Sequence, residues 1–245
     1  MIPIILPDWP APAHIKACTT LRTGGISKAP YASFNLAEHV GDDARHVQAN
    51  RALLKNSLML ADEPTWLEQT HSTIVVTADP RHRGKEADAS FTTQPKQICA
   101  VLTADCLPIL VCDRQGTQIA AIHAGWRGLA NGIITQTLKM LQLPPEETLV
   151  WLGPAIGPSI YELGEEVRQQ FIAKRAAAVK AFIPSPNAGR WLGNLYLLAK
   201  MDFQEYGVDA IYGGNYCTYS EKDRFFSYRR DGNKTGRMAS LIWME

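Results

Sequence analysis

Residues 103–128 read TADCLPILVCDRQGTQIAAIHAGWRG, and the fold is decided there. Two short apolar runs, Leu107–Cys112 and Gln118–His123, are partly β-branched and bounded by turn residues, so both are predicted as buried strands. The polar, glycine-containing segment Asp113–Thr117 joins them as a turn. Cys106 stands just before the first run and His123 closes the second. Gly125 then breaks the chain before an amphipathic helix. Two soft-metal ligand types therefore flank a hairpin-like unit. A third, His71, ends the upstream stretch Trp66-Leu67-Glu68-Gln69-Thr70-His71.

The remaining elements fall around this unit. Residues 1–16 read as an irregular, proline-rich start. Ala17–Arg22, Thr73–Thr77, Ile98–Thr103, Thr148–Leu152, Val208–Tyr212, Phe225–Tyr228 and Arg237–Met244 are expected strands. Helices are expected from about Ala44 to Met59, from Gly128 to Pro144, over Glu162–Lys174 and over Leu192–Tyr206. Pro184–Gly189 reads as a loop. No repeat, low-complexity tract or long linker divides the chain, so residues 1–245 are expected to form one α+β domain with mixed sheets.

Composition narrows the function. With 245 residues of which 46% are hydrophobic, a sizeable core is affordable and disorder is excluded. A formal net charge of +1 gives no global attraction to nucleic acid or to an anionic membrane. The N-terminus MIPIILPDWP lacks a basic region and a continuous apolar run, so no signal peptide is expected. No stretch approaches a membrane span. Five cysteines with irregular spacing suit reduced thiols and a cytoplasmic location.

Cys106 lies 35 residues after His71 and 17 before His123. That is not a zinc-finger spacing, and spacing alone favours a buried thiol and two ordinary histidines. The donor chemistry says more. One thiolate and two imidazoles suit zinc, and three protein ligands leave a fourth position for water or substrate. Cys112 or His39 would close that position if either joined. Without metal, Cys106 and His123 read as a nucleophile and base, a thiol hydrolase. Asp105 and Asp88 each suit either an orienting or proton-shuttling role or a plain turn aspartate. Arg22, Arg127, Arg229 and Arg230 sit beside glycine turns or strand ends and suit phosphate or carboxylate recognition, or surface solvation. Gly24-Gly25 and Gly213-Gly214 read as turns that can also present N–H groups to an anion.

Several blocks resemble the YfiH-like, or laccase-domain, family. They are Arg22-Thr23-Gly24-Gly25-Ile26-Ser27 with Pro30–Leu36 and His39–Asp42, the His71 block, Ala87-Asp88-Ala89, Thr103–Pro108, His123–Gly128, Leu152–Gly157 and Phe226–Asp231. Ala29 stands where many members have glycine, and Ala37-Glu38 replaces a Gly-x pair. The resemblance implies mixed β-sheets layered with outer helices, a fold of the cysteine-hydrolase type. It implies a zinc site at His71, Cys106 and His123, with Asp105 among the catalytic residues and Arg127, Arg22 or Arg229 meeting phosphate. The implied activity is purine nucleoside phosphorolysis, with adenosine deamination and methylthioadenosine cleavage. It equally implies an amidase that removes misplaced serine from peptidoglycan precursors. Copper would compete for the same ligands, but six histidines without a His-x-His pair do not build a multi-copper cluster.

Overall fold

The computed structural model describes residues 2–245. The quoted stretch folds as an antiparallel hairpin of Leu107–Asp113 and Ile119–Ala124, with Leu107 opposite Ala124 and Cys112 opposite Ile119. Asp113 fixes its turn: the carboxylate accepts from Thr117 N, Thr117 Oγ1 and Gln118 N. Gly116 supplies the φ of 71° that the reversal needs.

The hairpin is the middle of a six-stranded sheet, ordered Ile211–Gly213, Thr148–Leu152, Leu107–Asp113, Ile119–Ala124, Ala89–Thr92, Val75–Thr77. Its two outer pairings are parallel and the inner ones antiparallel, so the sheet is mixed. A second, antiparallel sheet runs Ile4–Ile5, Ile15–Thr20, Met238–Met244, Ile98–Thr103. A third has three short strands, Phe182–Pro184, Arg190–Gly193 and Glu162–Gly164.

The two-residue period of each strand sorts side chains into layers. Leu110, Cys112, Ala121 and Trp151 of the large sheet meet Ala17, Cys99, Val101 and Ile242 of the second. The opposite face of the large sheet, including Ile109, Val111, Ala120 and Ile122, packs against Leu138 and Leu141 of helix Ile133–Leu141 and Leu198 of helix Leu195–Glu205. The far face of the second sheet, with Cys18, Ala100 and Leu241, packs against Phe34, Leu36 and Leu54. Both sheets are covered on both sides, so their strands read as unbroken apolar runs.

Four expectations shift. The helix over Glu162–Lys174 starts at Glu165, because Glu162–Gly164 pairs as a strand and Gly164 takes the N-cap. The helix after Gly128 is two, Trp126–Asn131 and Ile133–Leu141, broken where Gly132 adopts φ 92°. Leu192 and Gly193 belong to a strand, and the helix that follows begins behind Asn194, whose side chain accepts from Leu197 N. Phe225–Tyr228 is no strand: Ser227 caps a four-residue helix, Tyr228–Asp231. Among the described residues no helix is long and apolar enough to cross a membrane.

Leu110 is fully buried between the two sheets. Leu110→Ala should cost about 2–5 kcal/mol, whereas Met140→Ala, 49% exposed, should stay within about 0.5 kcal/mol. Urea unfolding midpoints of the two variants test this.

Candidate metal centre

Cys106 and His123 sit at strand ends, and His71 sits in an irregular segment ahead of Val75–Thr77. Gln69 ties its segment to the strand Ile98–Thr103: its amide donates to Leu102 O at 2.8 Å and accepts from Leu102 N at 2.7 Å. Two residues on, His71 takes the left-handed φ of 61°. Cys106 directly precedes Leu107–Asp113, and His123 is the penultimate residue of Ile119–Ala124. Hairpin pairing thus sets Cys106 and His123 side by side, and the Gln69 clamp brings in His71.

Cys106 Sγ lies 3.7 Å from His71 Nε2. The two imidazole rings meet edge to face, centroids 4.9 Å apart. One donor atom from each of the three residues lies within 4.8 Å of the others, and among the described residues no fourth His, Cys, Asp or Glu joins them. Zinc bonds of about 2.3 Å to sulfur and 2.0–2.1 Å to nitrogen place tetrahedral donors roughly 3.3–3.6 Å apart, so the triangle fits such an ion. Gly125 makes room: a Cβ there would lie 2.7 Å from His71 Cδ2 and 3.0 Å from Cys106 Sγ.

Asp88 organises the centre. It is fully buried, just ahead of Ala89–Thr92. Its Oδ1 accepts from His123 Nδ1 at 2.7 Å and from His71 N at 3.1 Å. Its Oδ2 accepts from Thr70 N, Ser72 N and Ser72 Oγ. The one carboxylate therefore holds the strained His71 turn and points Nε2 of His123 at the sulfur. Of its two roles weighed from sequence, turn and orienter, it serves both.

The charges are coupled. Burial alone would raise the Cys106 thiol, but the imidazoles of His123 and His71 outweigh it and bring it down to about 6. Burial also opposes charge on His123, yet the Cys106 sulfur and the Asp88 carboxylate raise it to about 9. Near neutral pH the metal-free pair is thiolate and imidazolium.

Asp105, at φ 91°, lines the same cavity but has a different task. Its Oδ1 accepts from Thr218 Oγ1 at 2.6 Å, and its Oδ2 from Ser227 Oγ at 3.0 Å and Arg229 N at 2.6 Å. Both oxygens are engaged, and through them it holds the 218–229 segment against the centre.

The cavity above the triangle measures about 410 Å³, within the usual small-molecule range of roughly 300–1,000 Å³. Trp126, Ile156, Tyr161 and Tyr228 give it flat apolar walls, and Arg127, Arg229 and Arg237 add three cations. Asp105 is its one carboxylate. Arg127 lies over Trp126 and Arg229 over Tyr161. Arg22 is placed elsewhere. It donates to the carbonyls of Lys222 and Ala32 and covers Phe226, so it braces two loops outside the cavity. Arg230 is likewise spent on the carbonyls of Thr218, Tyr219 and Phe225. Gly25 N and Gly214 N are consumed by Ser33 Oγ and Leu152 O. Cys112 lies in the inter-sheet core. His39, weighed from sequence as a possible fourth ligand, lines the cavity without joining the three donors, and Arg237 lines it without any signal in the sequence to single it out.

Residues 16–245 match the family model described as multi-copper polyphenol oxidoreductase laccase. The chain belongs to this YfiH-like, laccase-domain family. It is 51% identical to a purine nucleoside phosphorylase of Pseudomonas aeruginosa over 98% of both chains. It is 48% identical to the purine nucleoside phosphorylase YfiH of Escherichia coli K12 over the whole of both. A crystal structure of a Neisseria meningitidis protein superposes with a TM-score of 0.94 at 46% identity, covering 99% of each chain. In this laccase-domain chain the described residues offer one three-donor group.

Two outcomes follow for the centre. Asp88→Asn should weaken zinc binding by about 10–100-fold, read by competition with a chromophoric chelator. A divalent metal ion held by these donors would take a thiolate and neutral imidazoles, so between about pH 6 and about pH 9 its binding would expel the His123 proton. Calorimetry in buffers of differing ionisation enthalpy should find about one proton released near pH 7.5 and a falling number above pH 9.

Proposed function

We propose that this protein is a zinc-dependent purine nucleoside phosphorylase that also deaminates adenosine and cleaves methylthioadenosine, acting in the cytoplasm as one domain. The observation that carries this reading is a three-donor centre, open at its fourth vertex, on the wall of a cavity edged by three guanidinium groups. Relatives named purine nucleoside phosphorylase, alike over nearly their whole length, supply the substrate class.

Phosphorolysis joins a phosphate oxygen to the ribose anomeric carbon as the bond from that carbon to the purine nitrogen breaks. The bonding pair leaves with the purine, which then takes up a proton. Guanidinium groups suit the first partner because their forked N–H pairs match phosphate oxygens. Arg127 and Arg229 at the exposed rim and Arg237 deeper in are the cavity's candidates for it. Trp126 and Tyr161 offer faces on which a purine can stack, and burial keeps the Tyr161 phenol neutral. His71, Cys106 and His123 would hold the zinc, which when bound supplies a Lewis acid and lowers the pKa of a coordinated water to about 7. Copper would suit the same donors.

One arrangement favours a second reading. Cys106, His123 and Asp88 line up as nucleophile, base and orienting carboxylate, the pattern of a metal-free thiol hydrolase. The two readings part on metal removal.

Purified protein given adenosine and phosphate should yield adenine and ribose 1-phosphate, and without phosphate should yield inosine. Chelation should abolish both reactions and zinc should restore them. Cys106→Ala should lower kcat/KM by more than about a hundredfold, beyond the 10–100-fold typical of an outer-shell partner. Zinc-replete protein that releases neither free base nor inosine would sink the first reading. Turnover that survives metal stripping and dies on alkylation of Cys106 would establish the second.

A further inference from the structure

Phosphorolysis needs a place for phosphate, and the three cavity arginines are not equivalent. Arg127 and Arg229 are exposed, and Arg229 already donates both terminal nitrogens to Glu162 O. Arg237 is half-buried. Its Nη1 donates to Thr235 O and Gly236 O, its backbone N donates to Asn35 Oδ1, and its guanidinium lies 6.0 Å from the Tyr228 ring centre. Among the described residues Nη2 and Nε have no hydrogen-bond partner, and no carboxylate pairs with the group. Its nearest negative charges, Cys106 and Asp105, act on it without bonding to it, so the free guanidinium edge is left to an anion entering the cavity.

Two further lining residues point the same way. Thr103 is 1% exposed, and its hydroxyl is buried without any partner. An orphaned buried hydroxyl on a cavity wall asks for a ligand atom. His39 is exposed and lines the mouth of the same cavity, with no hydrogen bond to its ring among the described residues. Desolvation, with Arg237 and Arg51 nearby, shifts its pKa downward, and its ring nitrogens are free to meet a ligand.

We infer that Arg237, with Thr103 and His39, forms an oxyanion subsite that takes inorganic phosphate. The identity of the anion rests on the phosphorylase reading; the subsite itself rests on the unpartnered groups.

The test is phosphate titrated into zinc-loaded protein by calorimetry, without nucleoside. Arg237→Met, which keeps the length of the stem, should raise the phosphate Kd at least about tenfold, since a hydrogen bond to a charged group contributes about 1.5–3 kcal/mol. Arg237→Lys should lie between it and wild type, and adenosine Kd should move less than threefold in both. If the methionine variant does not fold, Arg237→Gln makes the same comparison. Wild-type phosphate affinity in the variant overturns the subsite, as does a wild type that binds a nucleoside 5′-monophosphate but not inorganic phosphate. Phosphate held through Arg237 without any ribose 1-phosphate formed would sink the phosphorylase reading and leave the subsite standing. Phosphorolysis with an unchanged phosphate KM in Arg237→Met would do the reverse.

Discussion

Everything at the centre depends on the buried carboxylate of Asp88. Alone it would be a costly charge in the interior. Five donors converge on it, two of them groups of Ser72 and one the ring of His123. Those bonds hold it in its charged form, below the usual carboxylate range despite its burial. The same bonds stabilise a left-handed turn at His71 that a non-glycine residue adopts only when its surroundings demand it. Geometry of the metal triangle is thus set from outside the triangle, by a residue that would bind no metal. Asp105 does comparable work on the far lip, where three donors from one segment keep the cavity wall in place.

The two aspartates divide the electrostatics. Asp88 faces inward and is matched by an imidazole, while Asp105 is saturated by neutral hydroxyls and a backbone amide. Asp105 offsets only part of the charge of Arg237, and neither aspartate bonds to a guanidinium group of the cavity. What remains is a positive field over a soft-donor triangle, suited to an anion beside a neutral aromatic substrate.

Much of this was legible in the chain. The hairpin was, because a buried strand must be an apolar run and its turn must hold Gly116. Cys106 and His123 were, because donor types at strand ends carry chemistry. His71 was not legible by spacing; donor chemistry made it a candidate and the family likeness strengthened it, since Gln69 clasps a strand more than thirty residues away. Arg237 was hidden at the head of an apolar strand, where a charge reads as a boundary. Phe225–Tyr228 misled because its aromatic residues are buried as a strand's would be, while Ser227 turns the backbone into a helix. The break at Gly132 was missed because apolar spacing runs through it unaltered.

The strand Met238–Met244 lies inside the second sheet, flanked by Ile15–Thr20 and Ile98–Thr103. Thr19 and Ser240, 221 positions apart, share a hydrogen bond across it. On a ribosome, the two flanking strands therefore wait with open edges until residue 244 has emerged. Such distant pairing is slow to form, and unpaired edges invite association with other chains. The molecule can close only after synthesis has passed this point, and a nascent chain stalled short of it presents a surface for chaperones to cover.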